Sequence, residues 1–275
     1  MSTKLLDIDY SSIKDEDIVA VLKAFKNRHF NVYYAPDAEA ARAIVTELIP
    51  SGEKVGTGDS TSVAQLGIYA ALEAQGTTVY TGHARGKTFA ETRRLSALSY
   101  SSECRYFLTG TNAVTRDGRL VNVDALGNRV AGMFYGHENS VLIVGRNKIT
   151  KDLDEAFNRI RYQISPQHVK IRSTDLGGRP FKTGCVKTGR CVDCRGEDRT
   201  CNVFTVIEHK PKGTNINVVF VNQDLGLGWD DSWPKERIEN IIEEYKKLVW
   251  IPPQRQELSG PKVPEQAAPG EKAGG

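Results

Sequence analysis

Short apolar runs alternate with amphipathic stretches along the first 110 residues of the chain. The runs predict strands at 30–35, in KVGT, in TTVYT and at 105–110. Between them, apolar residues recur every three or four positions, which is the spacing of a helix with one buried face. These helices are predicted to begin at Ser12, at Pro36, after a glycine-rich turn, and near residue 90. The alternation favours a mainly parallel sheet covered on both faces, that is, a three-layer α/β/α fold.

The second half of the chain departs from this alternation. GRLVNVD (118–124) and NRVAGMF (128–134) flank the turn ALG and together predict an antiparallel hairpin. A buried strand is expected at 140–145, followed by a helix that Thr150 caps and that reaches about Gln163. FTVIEHK and NINVVFV predict two more strands, and Pro234 opens a final helix over 234–249.

Two segments lack the periodicity of either helices or strands. The first, 165–203, is rich in glycine, lysine and arginine and carries four cysteines, so that a bound metal would have to supply the missing core. The second, 251–275, has almost no large apolar residues and is expected to be a disordered tail. We therefore predict a single α/β domain over 1–250 that contains a cysteine-rich metal loop.

Net charge and targeting signals indicate which partners and which cellular location to expect. The 275 residues carry a net charge of +3, which requires neither nucleic acid nor an acidic membrane surface as a partner. The first residues lack the basic and apolar regions of a signal peptide. No apolar run approaches the ~20 residues that a membrane-spanning helix needs. We expect a soluble cytoplasmic protein that binds neither nucleic acid nor membranes.

The strongest chemical signal is a cysteine segment with the spacing C-x5-C-x2-C-x6-C, formed by Cys185, Cys191, Cys194 and Cys201. In a reducing compartment, clustered cysteines indicate metal ligands rather than disulfides. Structural zinc usually shows two CxxC-type pairs, and only one is present here. A cluster is wider than a single ion and suits a loop that wraps around it, and the interleaved lysines and arginines favour thiolate over thiol. We predict a 4Fe–4S cluster, with zinc and unmetallated thiols as the alternatives.

A glycine-rich turn between a predicted strand and a predicted helix is the first candidate ligand-binding segment. Its candidate residues are Gly56, Gly58, Asp59, Ser60 and Thr61. Glycines let the backbone approach a ligand, and the free N–H groups at a helix start bind anions. Asp59 places a negative charge where a phosphate would sit, so a carboxylate or a hydroxyl-bearing ligand fits as well as a phosphate. The alternative is that the turn is only a tight strand–helix joint.

The second candidate segment lies at the end of the predicted strand 105–110. Ligands of open α/β sheets bind at the carboxyl ends of the strands, which is where Asn112 is expected. Asn128 and Arg129 follow a nearby turn, and an arginine beside amides is suited to hold a carboxylate. The alternative is that the asparagines cap turns. Lys148 either reaches the same crevice or is solvated, and the sequence identifies no catalytic acid or base.

Four segments carry a resemblance to a known family: VGTGDSTSVAQLGIYAAL, YFLTGTNAVTRDGRLVNVDALGNRVAGMFYG, SVLIVGRNKITKDLDEAFNRI and TGCVKTGRCVDCRGEDRTCNVFTVIE. Over about residues 15–230 the chain resembles the lactate-utilisation (LUD) family, in its subgroup with four cysteines. The resemblance implies a fold similar to ribose-phosphate isomerases and CoA transferases, with the turn from Gly56 to Ser62 at the ligand crevice. It also implies a connection to complexes that oxidise lactate to pyruvate with iron–sulfur partners.

Three functions remain open on the sequence. In the first, the cluster passes electrons during oxidation of a small 2-hydroxy-carboxylate such as lactate. In the second, an open cluster iron acts as a Lewis acid in a hydro-lyase or desulfurising reaction. In the third, the protein senses a small anion or the redox state, and the metal is structural. The partners that we expect are a small carboxylate-bearing molecule, a redox protein and a second copy of the chain.

Overall fold

A computed structural model describes residues 7–83, 87–177 and 180–251. The strands are β1 (Asn31–Ala35), β2 (Lys54–Thr57), β3 (Thr78–Tyr80), β4 (Tyr106–Gly110), β5 (Ala113–Thr115), β6 (Leu120–Asp124), β7 (Asn139–Gly145), β8 (Ile149–Thr150), β9 (Val203–Ile207) and β10 (Asn215–Val221). Six of them form one sheet in the order β1-β10-β7-β4-β2-β3, and each neighbouring pair is parallel. The predicted parallel sheet is thereby confirmed.

Helices cover both faces of this sheet. The α-helices of the described residues are α1 (Glu16–Asn27), α2 (Ala38–Leu48), α3 (Thr61–Gln65), α4 (Ile68–Ala74), α5 (Phe89–Ser99), α6 (Asn128–Phe134), α7 (Leu153–Arg159), α8 (Ser165–Lys170), α9 (Gly184–Thr188) and α10 (Lys235–Leu248). Buried residues of α2, α3 and α4 share one core with one face of the strands, whereas those of α1 and α6 share a second core with the other. In β4, Leu108 joins the first core and Phe107 the second, because successive side chains of a strand point to opposite faces. The predicted three-layer α/β/α fold is therefore observed.

A second, four-stranded sheet packs beside the first. Its order is β8-β5-β6-β9, with β6 antiparallel to both β5 and β9. The predicted hairpin of 118–124 with 128–134 is wrong, since 128–134 is the helix α6. Val130 and Met133 of this helix are buried against the sheet, and Asp124 accepts a hydrogen bond from the Val130 amide at 2.9 Å. The true antiparallel partner of β6 on that side is β9, about 80 residues away in the sequence.

Two helices in the first half of the chain differ from the sequence prediction. Asp15, rather than Ser12, caps α1, because its carboxylate accepts from the amides of Asp17 and Ile18. The helix after the glycine-rich turn is divided in two at Gly67, which has a left-handed backbone with φ of 66°. These differences move the ends of helices and leave their number and order almost unchanged.

The largest correction concerns the segment after α7. The helical path does not end near Gln163 but continues through a π-helical turn, α8 and a second π-helical turn as far as Asp175. Residues 165–175 of the predicted loop are therefore helical, and Val169 and Ile171 are buried. Asp152, rather than Thr150, caps α7.

The predicted tail lies outside the described residues from 252 onward, and within the described ranges no helix is long and apolar enough to cross a membrane.

Candidate functional site

A cavity of about 1190 Å³ opens at the carboxyl ends of the central strands. The segments that follow β2, β4 and β7 line it through Asp59, Asn112 and Lys148. These three strands are neighbours in the sheet, so parallel pairing places their carboxyl ends side by side. The loop after β10 adds Gly226 and Leu227 to the same wall. The cavity thus occupies the position where open α/β sheets bind ligands.

The glycine-rich turn contributes its polar residues to the cavity and its glycines to packing. Asp59, Ser60 and Thr61 line the cavity. A Cβ on Gly56 would lie 2.0 Å from the Ser99 carbonyl oxygen, and one on Gly58 would lie 2.6 Å from Thr109 Oγ1. Both glycines are therefore needed where β2 approaches its neighbours. The Ser60 hydroxyl accepts from the Val63 amide at 3.4 Å and so caps the short helix α3.

Arg129, which also lines the cavity, is the centre of a buried network. Its guanidinium pairs with Asp124 at 2.7 Å, and the side chains are only 11% and 6% exposed. It also donates to the side-chain oxygens of Asn112 and Asn122, each at 2.9 Å. The carbonyls of Gly110 and Val123 accept from it at 3.1 and 3.0 Å. Both terminal nitrogens are thus engaged by protein acceptors, so Arg129 organises the wall, and its contact with a substrate stays a prediction.

Asn128 also lines the cavity, and it donates to the Tyr100 hydroxyl at 2.8 Å. Burial raises the pKa of Tyr100, so that its hydroxyl stays protonated at neutral pH. Of the sequence-predicted substrate residues, the structure therefore brings five to the lining of the cavity, whereas the two glycines serve close packing. The five are Asp59, Ser60, Thr61, Asn112 and Asn128, and Arg129 joins them as the supporting cation.

A buried lysine occupies the floor of the cavity. Lys148 is 4% exposed, and its amine donates to the Leu227 carbonyl. Burial, together with the positive charges of Arg159 and Arg129, lowers the pKa of Lys148 to about 7. Its amine and the Ser62 hydroxyl face the same small space at Gly226, since a Cβ there would be 2.8 Å from Ser62 Oγ and 3.1 Å from Lys148 Nζ.

The sequence analysis missed another polar group of the cavity, the hydrogen-bonded pair His168 and Tyr245. His168 on α8 binds the Tyr245 hydroxyl through Nδ1 at 2.6 Å and the Arg172 guanidinium through Nε2 at 2.9 Å. Because an arginine N–H can only donate, Nε2 accepts and the neutral ring carries its proton on Nδ1. Burial, and next the charge of Arg172, lowers the pKa of His168 to about 3. All three residues line the cavity, and the Tyr245 hydroxyl also bonds with Thr61 of the turn.

No sequence motif identifies the His168–Tyr245 pair, because the two residues are far apart in the chain. His168 also lies beyond Gln163, where the sequence analysis predicts the end of the helix. The only available signal was the apolar spacing of Ile164, Val169 and Ile171, which continues the helix beyond Gln163. The pair connects Thr61 of the glycine-rich turn to Arg172 through a chain of hydrogen bonds. Its imidazole stays neutral over the physiological pH range.

The cysteine segment borders the same cavity. Cys185 is buried and the other three cysteines are partly buried, and all four are free thiols. Arg199 ties the segment together by donating to the carbonyls of Cys194 and Cys201 at 2.8 and 3.1 Å. Cys201 lines the cavity, as do Asp59 and Asn112. The two least regular parts of the chain therefore meet at one place.

The donor set suits a thiophilic metal centre. Burial first, and then the neighbouring Cys194 and Cys201, raise the pKa of the Cys185 thiol, so three sulfurs lie within electrostatic reach of one another. Forming buried thiolates next to one another is costly. A bound metal would remove this cost, because it binds thiolates and neutralises their charge. Over the described ranges, no three cysteine, histidine or acidic side chains are arranged to hold a metal ion. The chemistry of the four thiols fits the predicted centre, but their spacing is not that of a closed single-ion site.

Comparisons with known proteins identify the family of the chain. The model of the LUD domain family matches residues 19–221. No curated protein sequence matches the chain. Among solved structures, it is similar to a crystal structure of a DUF162 family protein from Deinococcus radiodurans, with 14% identity, a TM-score of 0.40 and coverage of 75% of this chain and 97% of that chain. Since the family model spans well over half of the sequence, the chain belongs to the LUD domain family, which relates it to lactate utilisation.

Proposed function

We propose that the protein binds a small 2-hydroxy-carboxylate such as lactate in the cavity and takes part in its oxidation to the 2-keto acid. This oxidation releases two electrons and two protons, and the electrons pass to a redox partner protein. One observation carries the proposal: the glycine-rich turn, the strand ends and Cys201 line one cavity. A ligand there would lie beside the cysteine segment.

The polar groups of the cavity suit a ligand with one anionic end and one hydroxyl. Lys148 supplies a cation at the floor, and Arg172 supplies another near His168. Asp59, Ser60 and Thr61 offer an acceptor and two hydroxyls at the turn. Asp59 would repel a second anionic group, which favours a monocarboxylate over a phosphate ester. A 2-hydroxy acid combines these features in a small molecule.

We propose that Cys185, Cys191, Cys194 and Cys201 hold a 4Fe–4S cluster. Such a cluster, when bound, supplies one-electron transfer at a potential set by its surroundings. Arg199 would hold the Cys194 and Cys201 backbone in place and add positive charge beside the thiolates. Zinc is less suited, because structural zinc usually shows two CxxC-type pairs and this segment contains only one, Cys191–Cys194.

Anaerobic purification tests the metal centre. We expect brown protein with about four irons and four sulfides per chain, as one cubane requires. Replacing Cys201 with Ser should lower the iron content, whereas replacing the isolated Cys104, which is buried elsewhere, should leave it unchanged. Colourless protein that carries one tightly bound zinc would exclude the cluster.

Ligand binding is tested on the same protein by calorimetry and electron paramagnetic resonance. L-lactate, D-lactate and glycolate should bind, whereas lactamide, which lacks the charge, should bind at least tenfold more weakly. Reduction of the cluster on adding the hydroxy acid supports the redox function. A spectral change at one iron without reduction would instead favour Lewis-acid chemistry, and the absence of any binding or spectral change would leave only the sensing alternative.

A further inference from the structure

Lys148 is a buried cation whose position is fixed by its surroundings. It follows β7 in a short 3-10 turn, Arg146–Lys148, at the carboxyl end of the strand. Its amine contacts the Leu227 carbonyl and faces the same small space as the Ser62 hydroxyl at the left-handed Gly226, whose φ is 61°. Gly226 is itself held by Gln65, which accepts from its amide at 2.7 Å. Two segments remote in sequence, α3 and the loop after β10, therefore converge on one ammonium group.

This ammonium lacks a negative partner in the part of the chain that the structure describes. None of the ion pairs there includes Lys148, and the charges that act most on it are those of the cations Arg159 and Arg129. Asp124, which faces the same cavity, is already paired with Arg129 at 2.7 Å. Burying a charge without a counter-ion costs free energy. The charged form of the Lys148 amine is therefore favoured only when a ligand supplies the opposite charge.

We propose that Lys148 and Ser62 form the anion-binding end of the cavity and hold the carboxylate of the ligand. The amine would donate to one carboxylate oxygen and the Ser62 hydroxyl to the other, while Gly226 leaves the space that a side chain would fill. The inference rests on the proposed function for the identity of the ligand, but any small carboxylate satisfies the geometry. It assigns to Lys148 the carboxylate-binding role that the sequence analysis predicted for Arg129.

Binding should then be coupled to protonation of Lys148. In the free protein its pKa is about 7, and a carboxylate at contact distance favours the charged amine and raises that pKa. Above pH 7, binding therefore takes up protons and weakens as the pH rises. The other charged or titratable groups that line the cavity are Asp59, His83, Arg93, Asp124, Arg129, His168, Arg172, Glu197, Asp198, Arg199, Cys201 and Tyr245, and the charge of Arg159 also acts on Lys148. Of these, His168 has a pKa near 3 and does not titrate between pH 7 and 9.

The experiment compares Lys148→Met with Lys151→Met, a matched change at a nearby exposed lysine. Calorimetry with L-lactate, acetate and inorganic phosphate at pH 7 and pH 9 measures affinity, and buffers of different ionisation enthalpy measure proton uptake. Lys148→Met should weaken carboxylate binding at least 100-fold and abolish the proton uptake. Its melting temperature should rise, because a buried unpaired cation is replaced by an apolar side chain of similar length. Lys151→Met should behave as the wild type in all measurements.

The outcomes separate this inference from the proposed function. Wild-type lactate affinity in a folded Lys148→Met variant overturns the inference and leaves the proposed function intact. Loss of acetate or phosphate binding in that variant, when the wild type does not bind lactate, supports the anion site and overturns the proposed substrate. If the wild type binds none of the three anions, both are overturned. Reductive trapping of pyruvate on Lys148 by borohydride would show a covalent imine and would also overturn the non-covalent role.

Discussion

Arg129→Met is expected to destabilise the protein strongly. On sequence alone, this change would remove a ligand contact and leave folding little affected. In the structure it leaves the 6%-exposed carboxylate of Asp124 without its cation. The substitution also removes the donor that the Asn112 and Asn122 oxygens share. Loss of stability, rather than loss of affinity alone, should therefore be its main effect.

The size of this effect follows from the buried pair. Breaking a buried ion pair by removing one partner costs about 3–5 kcal/mol, because the remaining charge is uncompensated. The Val130 amide still donates to Asp124 at 2.9 Å, which keeps part of the carboxylate satisfied and places the expected value near the lower end. We expect a loss of about 3 kcal/mol in the free energy of unfolding.

Urea unfolding, followed by circular dichroism, measures this loss under two-state conditions. Asp124→Asn is the matched control, since it neutralises the stranded charge. The double variant should be more stable than the sum of the two single losses predicts, with a coupling energy of about 1–3 kcal/mol. If Arg129→Met costs less than about 1 kcal/mol, or if the two changes are additive, the pair does not organise the cavity wall.

Three further predictions concern the remaining groups of the site. Tyr245→Phe leaves His168 Nδ1 without its buried partner at 2.6 Å and should cost about 1–3 kcal/mol of stability by urea unfolding; a neutral result would mean that water replaces the hydroxyl. Stripping the metal should make 180–202 sensitive to trypsin, because the segment buries few apolar side chains and contains Lys182, Lys187, Arg190, Arg195 and Arg199; equal resistance with and without metal contradicts this. Between pH 7 and about 10, the unfolded chain holds the Lys148 proton that the folded chain has lost, so stability should rise with pH relative to Lys148→Met. Parallel stability curves for the wild type and that variant would show that the amine is not buried.

The strand sequences themselves determined much of the fold. The runs at 30–35, 105–110, 140–145 and 215–221 each contain at least three consecutive apolar residues, which is typical of strands in the middle of a sheet covered on both faces. The same reasoning located the turn after β2 and the residues after β4 at the carboxyl edge of the sheet. The spacing of the four cysteines gave the candidate metal ligands for a similar reason, since that pattern is local in the sequence.

Tertiary structure decided the elements whose neighbours are remote in sequence. The segment 128–134 has no strong local preference, and it is helical because Val130 and Met133 pack against the sheet while Gly132 lets the Phe107 ring approach its backbone. β6 accordingly pairs with β9, a contact that no local pattern specifies. Propensity is a weak guide where long-range packing competes with it.

The chemistry of the cavity depended on tertiary structure even more. Ser62, Lys148 and Gly226 come from three distant segments, and nothing in their local sequences shows that they meet. His168 and Tyr245 are 77 residues apart and are joined by a single hydrogen bond. Sequence predicts which segments reach the carboxyl edge, because strand order and direction follow simple rules. It does not predict which cation is free to bind a ligand, because the partners that neutralise Arg129 and bury Lys148 are set only by the folded chain.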